Sequence, residues 1–247
     1  MLKKIIQVTI VAALLIYLAF AVAFINPKAD ADLVCSEVRV EVVKNHGISY
    51  LSENQVLAIL QQPGINPVNK KMSSVSIEKI DKVLKDNKLI KSAESYKTID
   101  GKLKIKIYQY YPILRVISNT GNYYVDIDGD IMPVPKQFAA HLPLATGAIS
   151  EEYAKNQLFT FAQFLRKNKT WNEQIEQINI LPNQDVELIP LKGNHTILLG
   201  KMENYRENLD KLKLFYDKAL DQVGWNRYSM INLKYENQVV CTKKNKQ

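Results

Sequence analysis

The 247-residue chain is predicted to be an α+β protein carried on a single N-terminal transmembrane helix. Three observations predict this. Residues 5–25, IIQVTIVAALLIYLAFAVAFI, form an apolar run broken only by Gln7 and Thr9. After it, two-residue alternation and helical periodicity follow one another in the order strand, helix, helix, strand, strand. A later stretch mixes further strands with a long amphipathic helix, so the remainder divides into two small domains rather than one.

At about 1.5 Å of rise per residue the apolar run makes a helix of roughly 31 Å, close to the hydrocarbon thickness of a bilayer. The competing reading is a cleaved signal peptide, with Lys3 and Lys4 as its charged start and Ala21-Val22-Ala23 as a small-x-small cleavage site. The apolar core of a signal peptide covers about 7 to 15 residues. This run continues through Phe24 and Ile25 beyond the cut, so retention is expected. Lys3, Lys4 and the terminal amine precede the run, whereas Lys28 after it is offset by Asp30 and Asp32. That bias places residues 1–4 in the cytoplasm and the rest outside. No second run of spanning length follows.

The net charge of +8 would suggest nucleic acid in a cytosolic chain. Outside the membrane the available anions are lipid headgroups, wall polymers and acidic partner segments. The lysines are scattered, which is the pattern of a solvated surface. Cys35 and Cys241 are the only cysteines. An oxidising compartment permits them to pair. One opens the first strand and the other closes the last, and in a two-domain chain those points need not reach the roughly 4.4 to 6.8 Å that a disulfide requires.

Residues 26–34, with Pro27 and two aspartates, read as a stem. Val38, Val40 and Val42 then alternate with Arg39 and Glu41 in a half-buried strand, and Asn45-His46-Gly47 turns the chain. Ser52 and Gln55 have capping-box spacing ahead of Val56, Ile59 and Leu60, and Pro63-Gly64 stops that helix. Ile77, Ile80, Val83 and Leu84 mark a second helix over 76–87. Residues 90–98 form a strand, Asp100-Gly101 a hairpin turn, and Leu103, Ile105 and Ile107 alternate with Lys102, Lys104 and Lys106 in the next strand.

That order, with the helix I-E-K-I-D-K-V-L and the run G-K-L-K-I-K-I-Y-Q-Y-Y-P ending at Pro112, resembles a POTRA module. Directly outside one N-terminal crossing, it resembles the FtsQ/DivIB family of bacterial cell-division proteins. Later segments agree in order. Residues 123–130, Y-Y-V-D-I-D-G-D, are similar to the family's aromatic strand and D-x-x-G turn, in which Asp128-Gly129 would supply the positive-φ residues of a tight hairpin. Residues 142–147, L-P-L-A-T-G, are similar to its L-P-x-x-x-G segment. Ser150 caps a helix carrying Leu158, Phe161, Ala162 and Leu165. Residues 175–181, 186–191 and 195–199 read as strands, with Asn183-Gln184-Asp185 and Lys192-Gly193-Asn194 as turns. A long helix follows, its apolar face formed by Tyr205, Leu209, Leu212, Tyr216, Ala219 and Val223, with Gly224 at its end.

Residues 230–240 resemble the family's terminal strand, which usually reads D-L-R-Y before a turn and a short apolar run. Here Asn232 stands for the Asp and Lys234 for the Arg, which puts any ion pair of those residues in question. The resemblance covers most of the chain outside the anchor. Its motifs are individually weak and specific in their order.

Several enzyme and metal signatures fail on spacing. His46, His141 and His195 lie near turns or strand starts without a second ligand at metal spacing, so surface or cap roles are expected. Ser76 and Lys79 match S-x-x-K, but no S-D-N or K-T-G follows, and Ser76 is a helix cap. Asp126, Asp128 and Asp130 lack the glycine position and the twelfth-position Glu of a calcium loop. Asn168 and Asn194 head N-x-[ST] sequons, which carry little meaning in a bacterial chain.

The resemblance implies residues 35–112 as a POTRA domain, 113–242 as a mixed β domain with an extended antiparallel sheet, and 243–247 as a basic tail. It implies a non-enzymatic scaffold of the divisome in the inner membrane at the septum, with no cofactor, metal, nucleic acid or small-molecule ligand. The terminal strand would take up a segment of FtsB, itself paired with FtsL, by β-augmentation through Leu233, Lys234, Tyr235, Gln238, Val239 and Val240. A wall hydrolase or another POTRA-bearing envelope-assembly protein is the alternative. The first lacks a nucleophile, base and orienter, and the second lacks a series of barrel strands.

Overall fold

Helix α1 spans Leu2–Phe24, and its 5–22 segment is long and apolar enough to cross a membrane. The computed structural model describes residues 2–24, 33–44, 49–62, 64–135 and 141–244. Most of the expected stem (26–32), the Asn45-His46-Gly47 turn, the helix stop at Pro63 and the last three residues of the basic tail lie outside the described residues. The chain divides into two compact units, residues 1–44 with 51–108, and residues 45–50 with 109–247.

In the first unit, β1 (Glu37–Val43), α2 (Glu53–Leu60), α3 (Ile77–Asp86), β2 (Ile90–Lys97) and β3 (Lys102–Gln109) follow the expected order. The capping box is closed in both directions: the Gln55 amide donates to Ser52 Oγ at 3.3 Å, and the Ser52 amide donates to Gln55 Oε1 at 2.8 Å. Ser76 likewise accepts from the Lys79 amide at 3.3 Å and starts α3. Strand β3 lies between β1 and β2, parallel to β1. The alternation seen in β3 buries Leu103, Ile105 and Ile107, while Val56 and Leu60 of α2 and Ile80 and Leu84 of α3 are buried from the helical side.

The second unit is built on one nine-stranded sheet in the order β12-β11-β10-β9-β8-β7-β4-β5-β6. Its strands are β4 (Pro112–Ser118), β5 (Gly121–Asp126), β6 (Ile131–Pro133), β7 (Leu144–Gly147), β8 (Ile175–Ile180), β9 (Val186–Pro190), β10 (Thr196–Gly200), β11 (Tyr228–Asn232) and β12 (Val240–Lys243). The sheet is extended but mixed rather than antiparallel throughout. Strand β7 runs parallel to both neighbours, and β11 runs parallel to β10. Helical crossovers explain the two later parallel pairings, since parallel neighbours cannot be joined by a tight turn. Between β7 and β8 come α4 (Glu151–Tyr153), a π-helical turn (Ala154–Leu158), α5 (Phe159–Lys167) and α6 (Lys169–Gln174). Between β10 and β11 come α7 (Tyr205–Phe215), a second π-helical turn (Tyr216–Leu220) and α8 (Asp221–Val223).

The expected helical faces meet the sheet in one core that includes Leu158, Phe161, Leu165, Leu209, Leu212 and Tyr216. The 4-3-4-3-4 spacing fails only at the end. Leu220 is fully buried and Val223 is 39% exposed, because the π turn adds a residue and rotates the later side chains out of phase.

Two further expectations are corrected. In the β5–β6 turn only Gly129 takes a positive φ, +87°. Asp128 does not need one, because Asp126 Oδ1 accepts the amides of Asp128 (2.9 Å) and Asp130 (2.8 Å) and closes the turn from the side-chain side. His195 is a buried core residue rather than a surface or cap residue, with Nε2 2.8 Å from the Tyr216 hydroxyl. Burial pushes its pKa down.

Candidate functional site

Strand β11 ends at Asn232 for a local reason. The Asn232 side chain accepts the Lys234 amide at 3.0 Å, an Asx turn that competes with continued ladder bonding. Asn237 then takes φ +55°, and the chain returns as β12, antiparallel to β11 with Asn232 opposite Val240 and Ile231 opposite Cys241. Residues 230–240 thus hold the end of β11, a connection and the start of β12, in keeping with a strand followed by a turn and a short apolar run.

This redistributes the six residues expected at the binding edge. Leu233 is fully buried in the core. Tyr235 and Gln238 lie on the connection, and Tyr235 is 54% exposed. Val239 is half-buried against the core. Val240 alone belongs to β12, and it is 44% exposed.

Lys234 is tied into the fold by an ion pair. Its Nζ lies 2.7 Å from Asp185 Oδ2, while Lys201 Nζ lies 3.2 Å from Oδ1 and Asn183 Nδ2 donates to Oδ2 at 3.1 Å. The hydrogen bond from Lys234, with Lys201 second to it, holds the Asp185 carboxyl below the usual carboxylate range. Lys234, at the position where the resemblance has arginine, makes an ion pair here with Asp185. The close approach has a backbone requirement: a Cβ on Gly200 would lie 2.9 Å from Lys234 Cγ. Lys211 of α7 adds a second clamp, its Nζ donating to the carbonyls of Leu233 and Tyr235 at 2.8 Å each.

Together these clamps fix the connection from which β12 leaves. Among the described residues β12 has one neighbour, β11. The Lys244 amide donates to the Arg227 carbonyl at 3.1 Å, and the Thr242 carbonyl accepts the Ser229 hydroxyl at 3.3 Å. Residues 242 and 244 therefore direct their backbone groups toward β11, and by alternation Cys241 and Lys243 direct theirs away from the sheet. The other margin, β6, is three residues long and carries Pro133, which blunts pairing. The Cys241 thiol is half-buried against the core, and burial pushes its pKa up.

Sequence reading missed Asp185, Lys201, Lys211, Cys241, Thr242 and Lys243 as parts of this edge. Asp185 was legible only as a turn residue, and Lys211 only as one polar position on an amphipathic helix. Cys35 and Cys241 are both free thiols and belong to different units.

A family described as FtsQ/DivIB, C-terminal related, matches residues 111–242, more than half of the chain, and a POTRA-like domain matches residues 33–108. Among solved structures, the major extracytoplasmic domain of the trans isomer of the bacterial cell division protein DivIB from Geobacillus stearothermophilus is similar at 13% identity. That match covers 46% of this chain and 96% of the other, with a TM-score of 0.28. No curated protein matches the chain.

Proposed function

Because this chain belongs to the FtsQ/DivIB family of bacterial cell-division proteins, we propose that it is a non-enzymatic scaffold that captures a strand from a partner on the open edge of β12. In this reading α1 is a single-pass anchor in the cytoplasmic membrane at the septum, with its N-terminus inside. The POTRA-like unit and the β domain then stand outside, and their division of labour follows the boundaries 35–112 and 113–242. The captured strand is a segment of FtsB in its complex with FtsL, and the scaffold links early to late division proteins.

The observation that carries the reading is the pair of outward-facing backbone positions at Cys241 and Lys243, on a strand whose origin is clamped by Lys211 and Lys234. A strand fixed in this way presents main-chain donors and acceptors without first having to be ordered, and main-chain bonding supplies the affinity in strand addition. Val240 and Thr242 supply side chains for register. Leu233 acts from beneath, as packing.

Alternation yields the test. Cys241→Pro removes a donor directed at the incoming strand and leaves the β11 ladder whole, whereas Thr242→Pro removes a ladder donor directed at β11. Full-length Cys241→Pro is expected to fold and to lose co-purification with FtsB and FtsL. Thr242→Pro is expected to lose thermal stability. Unchanged capture by Cys241→Pro overturns the reading.

A further inference from the structure

The turn joining β2 to β3 has an unusual tip. The Gly101 amide donates to the Thr98 carbonyl at 3.2 Å, and Gly101 takes φ +75°. Between them Ile99 is 94% exposed, although nothing in turn geometry calls for an apolar β-branched residue there.

The tip lies beside the residues by which the chain enters the domain. Ser36 donates to the Gly101 carbonyl through its amide (2.9 Å) and its hydroxyl (3.1 Å). A Cβ on Gly101 would stand 3.0 Å from the Val34 carbonyl. On the other flank, the Cys35 amide donates to the Lys70 carbonyl at 2.8 Å, the Asn69 amide donates to the Cys35 carbonyl at 2.9 Å, and Val34 bridges Lys71. Exposed Val34, Val68 and Ile99 therefore share one end of the unit with exposed Lys70 and Lys71. Among the described residues, the acidic groups at this end are already engaged: Asp100 with Lys102 at 2.9 Å, and Glu37 with Arg39 at 3.0 Å. Lys71 makes no ion pair among the described residues.

The eight residues 25–32 separate α1 from Leu33, and fully extended they span at most about 30 Å. A domain of this size is itself roughly 30 Å across. The end that carries the attachment therefore stays within about 30 Å of the end of α1 and within reach of the bilayer.

We propose that this end of the POTRA-like unit docks on an anionic phospholipid surface, with Ile99 entering the headgroup layer, Val34 and Val68 at its rim, and Lys70 and Lys71 facing the lipid phosphates. The chemistry is that of an interfacial contact: a small apolar insertion joined to local positive charge. Neither part binds strongly alone, but the tether keeps the surface at high effective concentration. Docking would set the orientation of the unit on the membrane, and it rests on the reading of α1 as an anchor.

The test uses the full-length chain in vesicles of phosphatidylethanolamine and phosphatidylglycerol. Flotation with the vesicles reads the anchor. Ile99→Trp, measured against the parent chain, reads the tip: its added emission is expected to be largely lost when the acyl chains carry bromine close to the headgroup. Flotation with undiminished added emission overturns the docking and leaves the anchor standing, whereas failure to float removes both. Because tryptophan itself favours the interface, the native side chain is read by hydrogen exchange. The amides of Ile99 and Gly101 are expected to exchange more slowly in the parent than in Ile99→Asp in the same vesicles, and equal rates overturn the proposal.

Discussion

Asp185 is buried and is held by three donors, Asn183 of its own turn and Lys201 and Lys234 from two other parts of the fold. Its folded pKa lies below the unfolded value of about 3.9. The stabilisation is therefore complete above that value and is lost as pH falls through the folded value. Asp185→Asn is expected to cost about 1 to 2 kcal/mol at neutral pH and to show a shallower loss of stability below about pH 4 than the parent. Urea unfolding at pH 7 and pH 3 measures both. Gly147 illustrates a different residue-level constraint. It takes φ +102°, and a Cβ would stand 2.1 Å from the Ile180 carbonyl on the neighbouring strand. Neither strain can relax without separating β7 from β8, so Gly147→Ala is expected to cost more than about 3 kcal/mol. Thermal unfolding checks this.

At the scale of elements, β12 is a four-residue strand, too short to hold its own direction without help at its start. Lys211 provides part of that help from α7 by satisfying two carbonyls of the connection. Lys211→Met is expected to lower stability by only about 1 kcal/mol and to speed hydrogen exchange over residues 233–240 far more than elsewhere. Uniform exchange across the second unit would show that the connection holds itself. The two π-helical turns have a comparable local effect, since each adds a residue within a helix and so selects which later side chain faces the sheet. Burial of Leu220 in place of Val223 is the visible result.

For the whole molecule, the buried residues of the large core run from Ile113 to Leu233, with Tyr111, Val239 and Cys241 packed against them, and the first unit buries its own Val56, Leu60, Ile80, Leu84, Leu103, Ile105 and Ile107. Separate cores imply separate cooperative transitions. Residues 33–108 alone are expected to fold, giving dispersed amide resonances and one unfolding transition. A disordered fragment would show that the unit depends on the rest of the chain. The membrane-length helix, the POTRA-like unit and the family match together describe a membrane-anchored division protein.

The sequence by itself determined the features that depend on near neighbours: the apolar run, the capping box at Ser52 and the caps at Ser76 and Ser150, the alternation of β1 and β3, and the turns at Gly101 and Gly193. Caps and periodicities join residues within a few positions, so they are written in spacing. Tertiary structure decided what joins distant positions. Asp185 meets Lys234 across 49 residues, and Lys211 meets Leu233 across 22; no local pattern marks either pair. The parallel pairings and the identity of the open edge follow from chain crossovers in the same way. The physical reason is clearest in the terminal segment. Its apolar residues could be read as one strand, but Asn232 turns the backbone. Only packing against the sheet then sends Leu233 inward and leaves Val240 at the edge.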